Sequence, residues 1–504
     1  MSASREKKQR KTERSVDGLT VSPEKKKSPK NNDRMYGIFG IIVAVVLVIS
    51  LGTAIFQNVV GSGKFAAVTV GDEKIYAHEV NYYYVNTYLS FINSYGDYIS
   101  YMGIDTSASL DSQQCAFDSS ITWHEYFRQS AVSTLRETKM FVGEAAAAGV
   151  TLSEENRTRL EEDIESLKQS VADSEMTYET YLSAYYGDKM TPDEYMRIAE
   201  ENYLADQYGT EVYNTPEYTE DEITAYYDEN TNNFDLVDYK YFFFSSVPDS
   251  ENPTDVDIAA AKSEAQSLSA MMAGAVSDET SFDTQAIQYA DEDSKEKYED
   301  PDYSLITEAT YSSLSASSTD LADWLFSSDR VIGDCGVVET DSGYYVLFLK
   351  DRYRNDYRTR NVRHILVNFE LDEDASEATD EQKAAALEEA EQILEDWKSG
   401  EATEDSFAEL ANEFSDDAGS NTNGGLYEDV YKGQMVENFE NWLFDASRQP
   451  GDTGIVESPH GYHIMYYVSE GPAYWTVQVE TALRNEDYNT YTETAYEKYP
   501  LKEH

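Results

Sequence analysis

Residues 36–56, YGIFGIIVAVVLVISLGTAIF, run for 21 positions without a charge. At 1.5 Å per helical residue such a run matches the hydrocarbon thickness of a bilayer, so the pattern predicts a transmembrane helix over 35–57. GSGK (61–64) follows as a short joint. The stretch 65–88 begins as a short strand, turns at Gly71 and Asp72, and becomes a tyrosine-rich helix. From there to about 235 the periodicity is helical. Leu160, Ile164 and Leu167 share a stripe, and TPDE (191–194) and TEDE (219–222) each place a glutamate three positions after a capping threonine. The many tyrosines of this region read as exposed, and no catalytic cluster stands out among them.

Later segments alternate with period two. In SPHGYHIMYYV (458–468), Tyr462, Ile464, Tyr466 and Val468 fall on one face and His463, Met465 and Tyr467 on the other. This strand closes an internal repeat. DWLFSSDRVIGDCGVVETDSGYYVLFL (323–349) aligns without a gap to NWLFDASRQPGDTGIVESPHGYHIMYY (441–467), at an offset of 118. SFDTQAIQYADE (281–292) aligns with SFAELANEFSDD (406–417), and YKYFFF (239–244) with VRHILV (362–367). Each copy reads strand, helix, helix, variable loop, short helix, two strands, which suits a small domain with one mixed sheet and helices on it.

Charge divides the chain. Residues 1–34 hold eleven Lys/Arg and five Asp/Glu, a composition that cannot bury a core and predicts a disordered basic segment. A basic flank places the N-terminus in the cytoplasm and the bulk outside. An uncleaved signal anchor fits better than a cleaved signal peptide, because the basic region and the apolar run are both long. The remainder carries 28 basic against 91 acidic residues, which excludes non-specific nucleic-acid binding as a main role. Two distant cysteines, Cys115 and Cys335, make no disulfide framework, and their pairing is left open. No phosphate-binding glycine loop or metal-ligand cluster is present, so neither cofactor nor metal is expected.

The repeat supplies an internal comparison. His364 and His463 of the second copy correspond to Tyr241 and Tyr345 of the first. A generic core histidine would not need to be lost at both ends together, so the two histidines read as a working pair.

VRHILV, SFAELANEFSDD, GG, GQMVENF, PGDTG and GYHI resemble, in order and spacing, the parvulin-type peptidyl-prolyl isomerases. Together with the VTVGDEKI opening and the helical region, the chain resembles extracytoplasmic foldases of the PrsA and SurA kind. The resemblance implies an α+β fold: a single N-terminal transmembrane helix, a helical SurA-like chaperone domain (65–236), a degenerate parvulin-like domain (237–352), a parvulin domain (360–470) and a C-terminal helix (471–504) that packs on the chaperone domain. It implies that His364, His463 and Asp417 hold the catalytic network, with Asp416 the one-residue alternative to Asp417. It also implies that Met435 and Phe439, four apart on one helical face, line a proline pocket with Tyr427 and Gln434. Tyr427 departs from the leucine usual in the family, and His460 fits a solvent-exposed loop. The first copy has Ser317, Leu321 and Glu292 where the second has Met435, Phe439 and Asp417, which implies a domain without isomerase activity. The expected clients are unfolded or partly folded exported proteins with X–Pro bonds. A holdase without catalysis and an envelope scaffold are the competing functions.

Overall fold

The computed structural model describes residues 66–248, 253–371 and 377–504. The basic segment 1–34 and the apolar run 35–57 lie outside the described residues, as does the joint 61–64. Among the described residues no helix is long and apolar enough to cross a membrane. The fold class is therefore corrected to a mixed α/β chain, with the expected N-terminal transmembrane helix removed from it. The two longest described helices illustrate why none of them spans. Trp123–Ala148 and Tyr474–Lys498 both interleave charged residues with apolar ones, the pattern of a helix with one face in water.

Two strands, β1 (Ala66–Val70) and β2 (Glu73–Tyr76), pair antiparallel, and β11 (Leu501–Glu503) from the chain end adds to β1. Five helices follow β2: α1 (Ala77–Tyr95), α2 (Trp123–Ala148), α3 (Glu154–Asp173), α4 (Tyr178–Tyr186) and α5 (Pro192–Asn214). Thr122, Ser153, Thr177 and Thr191 cap four of them by accepting a backbone N–H three residues on.

Tyr98 and Tyr101 are exposed as read from the sequence, but many other tyrosines of this region are not. Tyr82, Tyr84, Tyr181, Tyr186 and Tyr195 form the core with Trp123 and Phe127. A tyrosine ring buries much as phenylalanine does, and its hydroxyl usually finds a partner when it does. Two of these hydroxyls do, while those of Tyr181 and Tyr195 have no hydrogen-bond partner among the described residues. Tyr186 donates to Asn86 at 3.3 Å, and the Tyr84 hydroxyl lies 2.9 Å from His124 Nδ1. A buried charge cluster ties the elements together. Lys139 Nζ lies 2.8 Å from Glu73 and from Glu79 and 2.7 Å from Glu201, while Arg197 reaches Glu79 at 2.7 Å.

Helices α6 (Glu220–Glu229) and α7 (Thr231–Phe234) lead into the first repeat. It comprises β3 (Asp235–Ser245), α8 (Asp255–Ala275), α9 (Glu279–Tyr289), α10 (Lys295–Tyr298), β4 (Leu305–Thr310), α11 (Tyr311–Ser317), α12 (Thr319–Phe326), β5 (Cys335–Thr340) and β6 (Gly343–Arg354). The second comprises β7 (Arg358–Asn368), α13 (Asp380–Ser399), α14 (Glu404–Phe414), β8 (Leu426–Val430), α15 (Glu437–Leu443), β9 (Thr453–Glu457) and β10 (Gly461–Ala473). The sheets run β4-β3-β6-β5 and β8-β7-β10-β9. Every pairing is antiparallel, so neither sheet is mixed. Each variable loop contributes an edge strand, β4 or β8, that the pattern did not reveal: LITEAT and LYEDV carry acids because an edge strand has only one partner.

The two copies share register. Tyr241 pairs with Leu347 as His364 pairs with Met465. They also share an ion pair between first strand and second long helix: Lys240 with Glu279 at 3.3 Å, Arg363 with Glu404 at 2.9 Å. Helix α16 (Tyr474–Lys498) then returns to the helical domain, where Arg136 of α2 donates to the carbonyls of Tyr496 and Tyr499 at 3.0 and 2.9 Å. Cys115 and Cys335 are both free thiols.

Candidate active site

The two faces of the β7–β10 pair divide the labour. Ile365, Val367, Tyr462 and Ile464 pack under α13 and α14. On the opposite face Val362, Met465 and Tyr467 pack with Phe439 and Leu443 of α15. His364 and His463 lie on that second face. His364 is paired to Met465, two residues from His463, so the histidines are diagonal neighbours across the ladder.

Both rings are buried. His364 Nδ1 lies 3.0 Å from His463 Nδ1, and His364 Nε2 lies 2.9 Å from Asp417 Oδ2. His463 Nε2 lies 2.9 Å from Ser458 Oγ. Asp417 Oδ2 also accepts from Tyr427 Oη at 3.0 Å and, closely, from Ser420 Oγ. Burial alone would raise the Asp417 carboxyl, but the hydrogen bonds from His364 and Ser420 outweigh it and hold Asp417 well below the usual carboxylate range. Burial, reinforced by the neighbouring His364, pushes the His463 imidazole down to about 3. Asp417 is thus a carboxylate that needs donors, and His463 is neutral.

The distances fit a relay in which His364 donates through Nε2 to Asp417 and accepts through Nδ1 from His463. That leaves His463 Nε2 and the Gly461 carbonyl to compete for the one Ser458 hydroxyl proton. Phe439 closes the site from above, with its ring edge-on to both imidazoles at centroid distances of 5.5 and 5.3 Å. The Tyr427 ring lies 5.4 Å from that of His364.

The other candidates fall at distinct places. Met435 joins the same apolar cluster as Phe439, half-buried. It does not share a helical face with Phe439, because α15 starts at Glu437 with Val436 at its N-cap. Gln434 is exposed, and its side-chain oxygen accepts from the Tyr431 N–H at 3.1 Å, closing a turn rather than meeting the histidines. Asp416 turns away: its N–H bonds the Leu366 carbonyl at 2.8 Å and its carboxylate accepts from Asn368 N–H at 3.0 Å. His460 is exposed.

Several participants carry no mark in the sequence. Ser420 and Ser458 are buried and bind the two ends of the network. Ser458 was findable in part, since it aligns with Thr340, and both hydroxyls bond the carbonyl of the glycine that starts the next strand. Gly425 sits at φ +71°, and a Cβ there would lie 2.2 Å from the His364 carbonyl oxygen, so only glycine lets the loop close on β7. Arg363 holds that loop by donating to the carbonyls of Asn423 and Gly424, each at 3.1 Å.

In the first repeat the equivalent place is aromatic. Tyr241 and Tyr345 face each other at 6.1 Å between centroids. Glu292, the counterpart of Asp417, is exposed and paired with Lys295 at 2.5 Å. Among the described residues no group of three or more His, Cys, Asp or Glu side chains converges as metal ligands do.

Comparison with known proteins gives a consistent assignment along the chain. Residues 364–469 and 218–360 each match the PPIC-type PPIase domain, and residues 29–209 match the SurA-like N-terminal domain. A Foldase protein PrsA 1 of Listeria innocua is 34% identical over 122 residues, 24% of this chain and 34% of the relative. A Chaperone SurA of Alkalilimnicola ehrlichii is 33% identical over 133 residues, 26% of this chain and 28% of the relative. The chain thus spans about a third of the length of the curated relatives it matches. A crystal structure of the peptidylprolyl isomerase PrsA from Bacillus cereus covers 61% of this chain and 85% of its own, at 16% identity and a TM-score of 0.20.

Proposed function

This chain belongs to the parvulin-type peptidyl-prolyl isomerase family of the PrsA and SurA kind, and from that premise we propose that it isomerises X–Pro bonds in unfolded client proteins and shields those clients as an ATP-independent chaperone. Catalysis belongs to the second repeat. The observation that carries this reading is the buried Asp417–His364–His463 network beneath Phe439, Met435 and Tyr427, set against the aromatic counterpart in the first repeat.

An X–Pro bond resists rotation with a barrier of about 18–20 kcal/mol because resonance keeps the amide planar. No bond is made or broken, so catalysis means favouring the twisted amide over the planar one. Twisting shrinks the amide dipole: the oxygen loses negative charge and the nitrogen regains its lone pair. An apolar wall of Met435 and Phe439 favours that less polar state once water is excluded. A fixed carboxylate at Asp417 opposes the larger oxygen charge of the planar form. The histidines hold Asp417 and the floor in place, and neither acts as a nucleophile.

We extend the proposal to exported clients met outside the cytoplasm, supported by the similarity to the PrsA foldases. The test is isomerisation of a proline-containing peptide by the whole chain and by its Asp417→Ala variant. A folded wild-type chain without activity leaves the holdase reading. Protease added to intact cells should cut the described domains if the location is right.

A further inference from the structure

A cleft of about 430 Å3 lies away from the histidines, where helices α2 and α5 meet the returning α16. Phe141, Tyr213 and Tyr488 wall it. Tyr488 lies 6.0 Å from Phe141 at an interplanar angle of 26°, and 5.8 Å from Tyr213 edge-on. Gly209 keeps the floor low; a Cβ there would come within 3.5 Å of the Tyr488 hydroxyl. Two carboxylates line the same space, Glu137 from α2 and Asp206 from α5.

Neither carboxylate has an ion-pair partner among the described residues. Glu137 is half-buried, and burial without a compensating cation raises its carboxyl. The cluster elsewhere in this domain makes the contrast plain: Glu73, Glu79 and Glu201 all converge on Lys139. Asp206 is exposed at the mouth of the cleft, and aromatic faces beside a half-buried and an exposed carboxylate are what a guanidinium or ammonium on an aliphatic stem binds best. The stem packs on the rings, the cation meets their negative faces, and the head pairs with the carboxylates.

We propose that this cleft is a second client-binding site, separate from the isomerase site, that takes an arginine or lysine side chain of an unfolded polypeptide. The occupant is a client segment rather than a small cation, because a cleft of about 430 Å3 accommodates a stem as well as a head. The site rests on the chaperone reading given above and specifies what that function recognises. It also assigns α16 a role, since one wall comes from the end of the chain.

The test uses the whole chain and a fluorescein-labelled, proline-free peptide with one arginine among glycine and serine residues. A matched peptide carries uncharged citrulline in place of arginine. The arginine peptide should bind roughly tenfold or more tightly than the citrulline one, as expected for a charge-assisted bidentate pair. Glu137→Gln and Asp206→Asn should each erase most of that preference. Glu161→Gln, which removes the same charge from an exposed position of α3, should leave it intact. Equal binding of the two peptides, or an equal loss with Glu161→Gln, overturns the proposal in favour of a general attraction to an acidic chain. Isomerisation of a proline peptide is measured on the same preparation. Its absence beside an intact arginine preference overturns the catalytic reading alone, and its presence beside equal peptide binding overturns this site alone.

Discussion

His364 Nδ1 stands 3.0 Å from His463 Nδ1, like nitrogen to like nitrogen. One must donate and the other accept, so the two rings cannot both be fully protonated. The folded chain keeps His463 neutral down to about 3, while an ordinary histidine takes up its proton near 6.5. The unfolded chain therefore binds a proton that the folded chain refuses. The associated stability is complete above 6.5 and is lost as pH falls from 6.5 towards about 3, at up to about 1.4 kcal/mol per pH unit. Asp417 adds a loss of the same sign below the ordinary carboxylate value of 3.8. Hydrogen exchange of β10 amides in wild type and His463→Phe, at pH 7.5 and 5.5, checks this. The stability gap between them should narrow at the lower pH; a constant gap would mean that His463 titrates normally in the fold.

Phe439 and Met435 should separate stability from substrate binding. Phe439 is 2% exposed and touches both imidazoles, so Phe439→Ala should cost about 3–5 kcal/mol and disorder the network. Met435 is half-buried at the rim. Met435→Ala should cost far less stability and show chiefly as a raised KM for X–Pro peptides. Urea unfolding beside steady-state kinetics decides; matching losses in both variants would place Met435 in the core instead.

The legible parts of this chain were those where one physical demand fixes the residue. Alternation from Tyr462 to Val468 gave the strand and its two faces because each face is buried against a different layer. The gapless offset between repeats was visible because glycines and tryptophans meet in contact: Trp324 on Gly336 and Trp442 on Gly454. Other parts were ambiguous for equally physical reasons. Tyrosine serves surface and core alike, so the pattern does not separate Tyr98 and Tyr101 on the surface from Tyr82, Tyr186 and Tyr195 in the core. Met435 and Phe439 have helical spacing, but spacing does not say where a helix begins. Ser420 and Ser458 join the network only through what folding places beside them. The apolar run 35–57 matched a bilayer in length and lies outside the described residues, and no described helix has that character.

The repeats should differ in activity, not only in degree. Glu292 is exposed and bound to Lys295, while Asp417 is half-buried and bound to His364. Asp417→Ala should lower isomerisation by roughly 10–100-fold, in the range lost with one preorganised electrostatic group. Glu292→Ala and Tyr345→Phe should leave the rate of the whole chain unchanged. Expressing 237–352 and 360–470 separately gives the complementary measurement, and comparable rates from the two would defeat the assignment.

Ser420 offers a way to tune Asp417 without substituting a histidine; its Oγ also lies 3.2 Å from His364 Nε2. Its hydroxyl is one of the bonds that keep the carboxyl low. In Ser420→Ala that bond is lost and the Asp417 carboxyl moves up towards the ordinary range. Activity that needs the carboxylate should then fail at a higher pH on the acid side. The pH–rate profiles of the two proteins should differ in their acid limb and coincide near neutrality. Coincidence throughout would show that the ionisation of Asp417 does not govern the rate.

The segment that carries Met435 is tied to the helical domain through aromatic stacking. The Tyr474 ring, at the first position of α16, lies 4.7 Å from Tyr431 at 19° and 5.3 Å from Tyr357 at 28°. Tyr357 also accepts the Lys432 N–H at 3.2 Å. Tyr431 begins the turn that Gln434 closes, and Met435 follows directly. Each aromatic pair contributes about 0.5–1.5 kcal/mol beyond its buried area. Losing both pairs in Tyr474→Ala should release the turn and lower kcat/KM by about tenfold, mostly through KM, because the network beneath is untouched. Tyr474→Phe keeps both stacks and should behave as wild type. If Tyr474→Phe fails as Tyr474→Ala does, the hydroxyl rather than the stack is responsible. If neither variant changes KM, the turn holds its shape without the stack, through Gln434 and the Lys432 bond to Tyr357, and α16 has no part in presenting Met435.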